Sequence, residues 1–98
     1  MINFGVPVQV EPEDGVLAVT ASFHAIAPGL GGGSAIDTLV GGADGDAVLL
    51  TCASPGATVT FTNAGNIRTR DGLPVVLNDA DKTLLLVRVS ETAWAQPQ

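Results

Sequence analysis

The stretch "GGADGD", Gly41 to Asp46, places two carboxylates among three glycines, with a third carboxylate, Asp37, a few residues upstream. Carboxylate oxygens are the ligands that calcium takes. The run matches the first two glycines, the aspartate and the apolar position of the calcium-binding nonapeptide GGxGxDxUx, with Asp46 and Val48 in the last two roles. Asp44 stands where that motif has its third glycine. There is also a single copy, whereas the motif works in tandem so that successive turns share ions. A tight corner before a strand is the reading the sequence favours. A three-carboxylate site of Asp37, Asp44 and Asp46 is its alternative.

Other residues able to do chemistry are few. His24 is the single histidine, placed by alternation on the more polar face of a strand. Base catalysis would require a nucleophile in reach and an orienting carboxylate. The run "GGGSAI" lacks the final glycine of a GxSxG elbow. Cys52, the only cysteine, excludes an intrachain disulfide and lies in an apolar stretch with no basic neighbour, the setting of a small buried hydrophobe. No CxxC or Cys/His cluster suggests zinc. Glu11, Glu13 and Asp14, and likewise Asp79 and Asp81, look like solvated turns. A hydrolase or lyase would have to draw on a carboxylate pair such as Asp44 and Asp46. The expectation is a protein that is not an enzyme and uses no cofactor.

Trp94 is the only tryptophan and tyrosine is absent, which leaves no set of aromatic platforms for sugars. Trp94 is expected to cap the core or a subunit contact. Arg68 and Arg70 share a predicted strand face, where ion pairs within or between subunits are the ordinary use.

Composition sets the frame for these residues. The chain of 98 residues makes one domain, able to bury roughly 65% of the surface it exposes when unfolded. An apolar content of 46% and a mean hydropathy of +0.38 are generous at this size, and imply surface covered by other copies. Four Lys and Arg against ten Asp and Glu leave a net charge of −6. That is the wrong sign for nucleic acid or an anionic membrane surface. "MINFGVPVQV" lacks the pattern of a signal peptide, and no run reaches the length of a membrane span. Synthesis in the cytoplasm is expected, with any export as part of a larger particle.

The elements that position these residues read as strands. Turn signals recur at short intervals, and the segments between them are rich in Val, Leu, Ile, Thr and Phe. Strands are predicted at Val6–Val10, Val16–Ala25, Ala47–Ala53, Thr58–Thr62, Ile67–Arg70, Leu73–Leu77 and Thr83–Val89. In "TVTFT", Val59 and Phe61 share one face and the threonines the other. In "TLLLVRV" both faces are apolar, as in a strand that is central or covered by a subunit. "RTRDGLPVVL" reads as a hairpin around Asp71-Gly72, with Pro74 at an edge or a strand start. "PGLGGGS", Pro28 to Ser34, reads as a mobile surface loop. No internal repeat is visible. The predicted fold is all-β: a small antiparallel β-sandwich or barrel, jelly-roll-like, of about seven short strands. Residues 1–14 form an extended N-terminal arm and residues 15–98 the single β domain.

The part from Ile36 to Trp94 resembles a β-rich module in structural proteins of tailed bacteriophages, found in tail-fibre and head-fibre tips and in small virion proteins. The resemblance is carried by Ile36-Asp37-Thr38-Leu39, Gly41-Gly42, Asp44-Gly45-Asp46, Thr58–Thr62, Gly65-Asn66-Ile67-Arg68, Leu84–Leu86 and Trp94. Two departures, a start at its own methionine and the sparsely charged ending "SETAWAQPQ", suit a stand-alone virion protein better than a fibre tip.

The resemblance implies a phage virion structural protein, foremost a capsid decoration or cement protein that stabilises the shell. The expected assembly is a homotrimer on the major capsid protein or another virion protein, in the virion after synthesis in the host cytoplasm. The alternative is a fibre or spike tip that binds a host surface receptor or glycan. An extended arm can add as a strand to a neighbour's sheet edge. Expected contact residues are Phe4, Val6 and Val8 on the arm, and Leu85, Val87, Val89 and Trp94 between copies or against the capsid.

Overall fold

A computed structural model of the chain describes residues 4–27, 33–53, 58–79 and 81–97, the side chains of residues 33 and 34 excepted. These residues form strands and no helix. In chain order the strands are β1 (Val8–Val10), β2 (Val16–Ala18), β3 (Phe23–Ile26), β4 (Gly33–Ile36), β5 (Thr38–Val40) and β6 (Ala47–Cys52). Then follow β7 (Thr58–Phe61), β8 (Ile67–Arg68), β9 (Val75–Leu77), β10 (Thr83–Ser90) and β11 (Ala93–Ala95).

They assemble into three sheets. The largest has the order β1-β3-β6-β10-β11-β8, a second the order β4-β7-β9, and β2 pairs with β5. Five of the eight strand pairings are parallel. Parallel partners need long crossovers, usually helical. Here the crossovers are strands of the other two sheets. From β3 the chain passes through β4 and β5 and returns as β6 alongside β3; β7 then lies alongside β4. Phe23 aligns with Leu49, Gly33 with Thr58 and Val16 with Thr38, so one turn of this winding takes 22 to 26 residues. The last strands reverse direction: β10 runs antiparallel to β6, and β9 to β7.

The winding encloses one core. Inward residues of all three sheets join a single cluster: Leu17 from β2, Ile26 from β3, Ile36 from β4, Leu39 from β5, Leu50 from β6, Phe61 from β7, with Trp94 among those that close it. Successive turns place side chains in register, Ile36 beside Phe61, Ile26 beside Cys52 and Leu17 beside Leu39. A single turn has too little apolar surface to bury itself. Stacking supplies the rest, as in solenoids.

The corners show how closely the turns approach. Gly65 has φ +58, and a Cβ there would collide with the carbonyl oxygen of Asp37 on the preceding turn. At Gly41, φ +100, a Cβ would lie 2.5 Å from the carbonyl oxygen of Val19. Beside Gly65 the Asn66 side chain acts as a substitute strand. Its Oδ1 accepts from Leu39 N at 2.8 Å and its amide donates to Leu39 O at 2.6 Å. Asn66 N also donates to Asp37 O at 3.2 Å. Thus "IDTL" and "GNIR" are the two sides of one stacking contact.

Several expectations are corrected. The sheets are not of antiparallel jelly-roll type, since parallel pairs predominate. The predicted strand Val16–Ala25 breaks at residues 19–22, where the backbone turns around His24. Asp71-Gly72 does make a turn, with Gly72 at φ +74 and its N–H on Thr69 O at 3.3 Å. No hairpin follows, because β8 pairs with β11 and β9 with β7. Pro74 precedes β9, an edge strand, as anticipated. Of the expected N-terminal arm, Val8–Val10 belong to the protein's own main sheet as β1, parallel to β3. Strands β4, β5 and β11 were not foreseen. Within "PGLGGGS", Gly33 and Ser34 begin β4, and residues 28–32 lie outside the described residues.

The corner geometry predicts unequal costs for two similar substitutions. At Gly45 nothing lies within 4 Å of a new Cβ, so Gly45→Ala should cost about 1–2 kcal/mol from its left-handed backbone. Gly65→Ala adds a backbone collision and should cost more than about 3 kcal/mol. Urea unfolding of the two variants checks this; equal midpoints would contradict the stacking contact.

Candidate interaction surface

The acidic corner that opened the sequence is closed by its own groups. Asp46 Oδ2 accepts from Ala43 N at 2.8 Å, and Asp46 N donates to Ala43 O at 2.9 Å. Arg88, on the inward side of β10, ties the corner to the main sheet. Its Nη1 donates to Gly42 O at 2.8 Å, its backbone N to Asp46 O at 2.8 Å, and its carbonyl accepts from Gly45 N at 2.7 Å. The Asp44 carboxylate stands 3.7 Å from the guanidinium and is 66% exposed, so this ion pair contributes at most about 1 kcal/mol. Gly42 packs against Trp94, whose ring a Cβ would approach to 3.1 Å. Asp37 lies at a different corner, its Oδ1 accepting from Thr38 Oγ1 at 2.9 Å. Among the described residues no three His, Cys, Asp or Glu side chains converge. The "GGADGD" stretch is a corner.

His24 is fully buried, not on a polar face. The break at residues 19–22 shifts the alternation, so His24 and Ile26 face the core. Its Nδ1 lies 3.0 Å from Val8 O, and its Nε2 accepts from Thr20 N at 3.0 Å and Ala21 N at 3.2 Å. Two amide donors on Nε2 leave the ring proton on Nδ1, where it is donated to Val8. The histidine therefore pins β1 on one side and the 19–22 loop on the other. With its lone pair occupied, it is not arranged to activate the nearby Thr20 or Ser22 hydroxyls.

Between the 19–22 loop and the Gly42–Ala47 corner lies an open groove. Of the polar side chains that line it, the Asp46 carboxylate is engaged with Ala43 and Ser22 Oγ with Phe4 O at 3.4 Å. A second depression is lined by Glu11, Glu13 and Asp14 among others, all three exposed. Within the described residues of the single chain, Arg68 and Arg70 serve backbone carbonyls. Arg68 Nη1 donates to Gly65 O and Ile67 O, and Arg70 Nε to Pro97 O.

The outer face of the main sheet is different in character. Leu84 and Leu86 of β10 point into the core, while Leu85 and Val87 point outward. Strand register sets Phe23, Leu49 and Leu85 in one row across β3, β6 and β10. Ala47, Val87 and Ala95 form the next row. All six are half-buried and none is charged. Arg68, aligned with Ala95, and Val89, 58% exposed, stand at the rim. Leu85, Val87 and Val89 were singled out from the sequence; Phe23, Ala47, Leu49 and Ala95 were not. The signal for β6 was present, since "AVLL" is apolar at consecutive positions just as "LLLV" is.

The other expected contact residues divide. Val6 is 84% and Val8 46% exposed, and Phe4 is half-buried. Trp94 is 1% exposed within the single chain. It caps the core, and so offers no surface to a partner. No family model, curated protein or solved structure matches the chain.

The His24 arrangement predicts a measurable tautomer. Nitrogen-15 NMR of the ring should show the proton on Nδ1 and a lone pair on Nε2; the reverse would contradict the hydrogen-bond scheme. His24→Leu, which leaves two amides and a carbonyl without their partner, should destabilise the fold by about 2–4 kcal/mol.

Proposed function

We propose that this chain is a non-enzymatic structural protein of a phage particle, foremost a capsid decoration protein assembled as a homotrimer on the major capsid protein. The observation that carries the reading is the uncharged apolar outer face of the main sheet. A strand such as β10, apolar on both sides, has no need of its outer leucine and valine unless something packs there. The resemblance of Ile36–Trp94 to phage structural modules supplies the context. In the structure, its quoted residues Gly41, Gly42, Gly65 and Asn66 sit at corners and stacking contacts, consistent with a module whose motif maintains a scaffold. We take the body to be a layered, sandwich-like domain, since sheets of six and three strands share one core.

The mechanism is mechanical. Apolar surface buried across neighbouring shell subunits raises the free energy needed to separate them. The proposed contact set is Leu85, Val87 and Val89 with the newly found Phe23 and Leu49, together with Phe4, Val6 and Val8. A fibre or spike tip that binds host glycans is less well supported, because the only tryptophan is committed to the core.

Quantitative mass spectrometry of purified particles tests the proposal. Abundance near that of the major shell protein is expected, with shells lacking this chain dissociating at lower temperature. A few copies per particle would point to a fibre or spike, and absence from the particle would remove the reading.

A further inference from the structure

Three aspartates of the chain are followed by glycine: Asp14-Gly15, Asp44-Gly45 and Asp71-Gly72. All three pairs are open to one intramolecular reaction. The glycine amide nitrogen attacks the aspartate Cγ, an N–Cγ bond forms, and one carboxyl oxygen leaves as water, taking the amide proton and a second proton. The succinimide so formed takes water back at either carbonyl. Opening at one restores aspartate. Opening at the other leaves isoaspartate, with its Cβ in the main chain and its α-carboxylate free. Water is the only co-reactant. Glycine brings no Cβ to obstruct the attack in any of the three, so the fold decides which pair reacts.

Two of the pairs are held. Asp14-Gly15 is the centre of a two-residue turn closed by both Glu13–Val16 hydrogen bonds, each 2.9 Å, the conformation that Asp-Gly favours. Gly15 O also accepts from Asp37 N at 3.0 Å and Thr38 N at 3.2 Å, which fixes the turn to the next corner. At Asp44-Gly45 the attacking nitrogen is itself occupied, since Gly45 N donates to Arg88 O at 2.7 Å. The Asp44 carboxylate stands beside the Arg88 guanidinium.

Asp71-Gly72 has neither restraint. Gly72 N makes one long bond, 3.3 Å to Thr69 O. Among the described residues the Asp71 carboxylate has no hydrogen-bond or ion-pair partner. A Cβ on Gly72 would meet only Asn63 Nδ2, at 3.9 Å. Residues Arg70 to Pro74 are all exposed and belong to no strand, since β8 ends at Arg68 and β9 begins at Val75. A segment with no ladder bonds and little burial opens locally at low free energy. Asp71 can therefore bring its carboxyl carbon onto Gly72 N without disturbing either sheet.

We propose that Asp71 is a modification site, at which the folded protein isomerises spontaneously to isoaspartate while its other two Asp-Gly pairs are protected. The product adds one carbon to the main chain between the main sheet and the three-stranded sheet. Arg70 is anchored on one side, its N on Gln96 Oε1 and its Nε on Pro97 O, both at 2.9 Å. On the other side β9 is paired with β7. The extra length is thus taken up between Asp71 and Pro74, and Leu73, 64% exposed, shifts with it. The sheets keep their pairing, so the modified form accumulates as folded protein.

Ageing the native full-length protein at neutral pH tests the proposal, with peptide mapping by electron-transfer fragmentation to tell isoaspartate from aspartate at each position. Isoaspartate at Asp71 should build up at least about fivefold faster than at Asp14 or Asp44, the factor that one net hydrogen bond supplies. In urea-unfolded protein the three rates should converge. Equal rates in the folded protein, or a faster reaction at Asp14 or Asp44, would overturn the proposal. So would an order that persists unchanged in urea, because the fold would then not be its cause. A second measurement uses asparagine in place of aspartate. Folded Asp71→Asn should lose ammonia and gain isoaspartate at that position faster than folded Asp44→Asn, and equal rates would again count against protection by the fold.

Discussion

The fold depends on how closely one turn of backbone can lie on the turn before it. Parallel pairing of β3 with β6 and of β4 with β7 brings the connecting corners into contact as well as the strands. At Gly65 that approach leaves no room for a Cβ beside Asp37 O. Asn66 next to it completes the ladder with its side-chain amide. If the corners were held apart, the inward ladder of Leu17, Leu39, Ile36 and Phe61 would lose its register and the shared core its closure. Antiparallel β10 and β9 then end the winding, which solves the open-end problem that repeat folds meet with atypical terminal units.

The polar residues serve this arrangement throughout. His24 spends both ring nitrogens on backbone groups. Arg88 spends its side chain on the Gly42 carbonyl. Asp46 and Asn63 each accept from a backbone amide that turns the chain. Among the described residues, no three His, Cys, Asp or Glu side chains converge so as to hold a metal ion. The surface character therefore comes from the apolar outer face of the main sheet and the exposed valines near the N-terminus.

Alternation was readable in strands such as β7 and β10, which run unbroken through the predicted segments. Val59 and Phe61, and Leu84 and Leu86, are inside as their spacing requires. The repeat of 22 to 26 residues was not readable, because its length varies and the stacked pairs differ in type: Ile26 lies beside Cys52, His24 beside Leu50 and Ile36 beside Phe61. "GSAI" and "TLV" have weak local preference and become strands through pairing with β7 and β2, where tertiary context outweighs propensity. Asp71-Gly72 carried a true turn signal, but turn chemistry does not choose strand partners. His24 was misplaced because a strand drawn straight through residues 19–22 has the wrong parity beyond the break. On the outer face, Leu85 and Val87 were visible as an excess of apolar residues in one strand. Their neighbours Phe23 and Leu49 needed the strand order to be known.

Contact through the outer face is the central claim, and sedimentation of the intact protein across micromolar concentrations tests it most directly. The account predicts a concentration-dependent oligomer for the native chain and a monomer for Leu85→Lys, with the two giving the same β-sheet circular dichroism. A native chain that stays monomeric at every concentration, or a Leu85→Lys variant that assembles as well as the native protein, would contradict it.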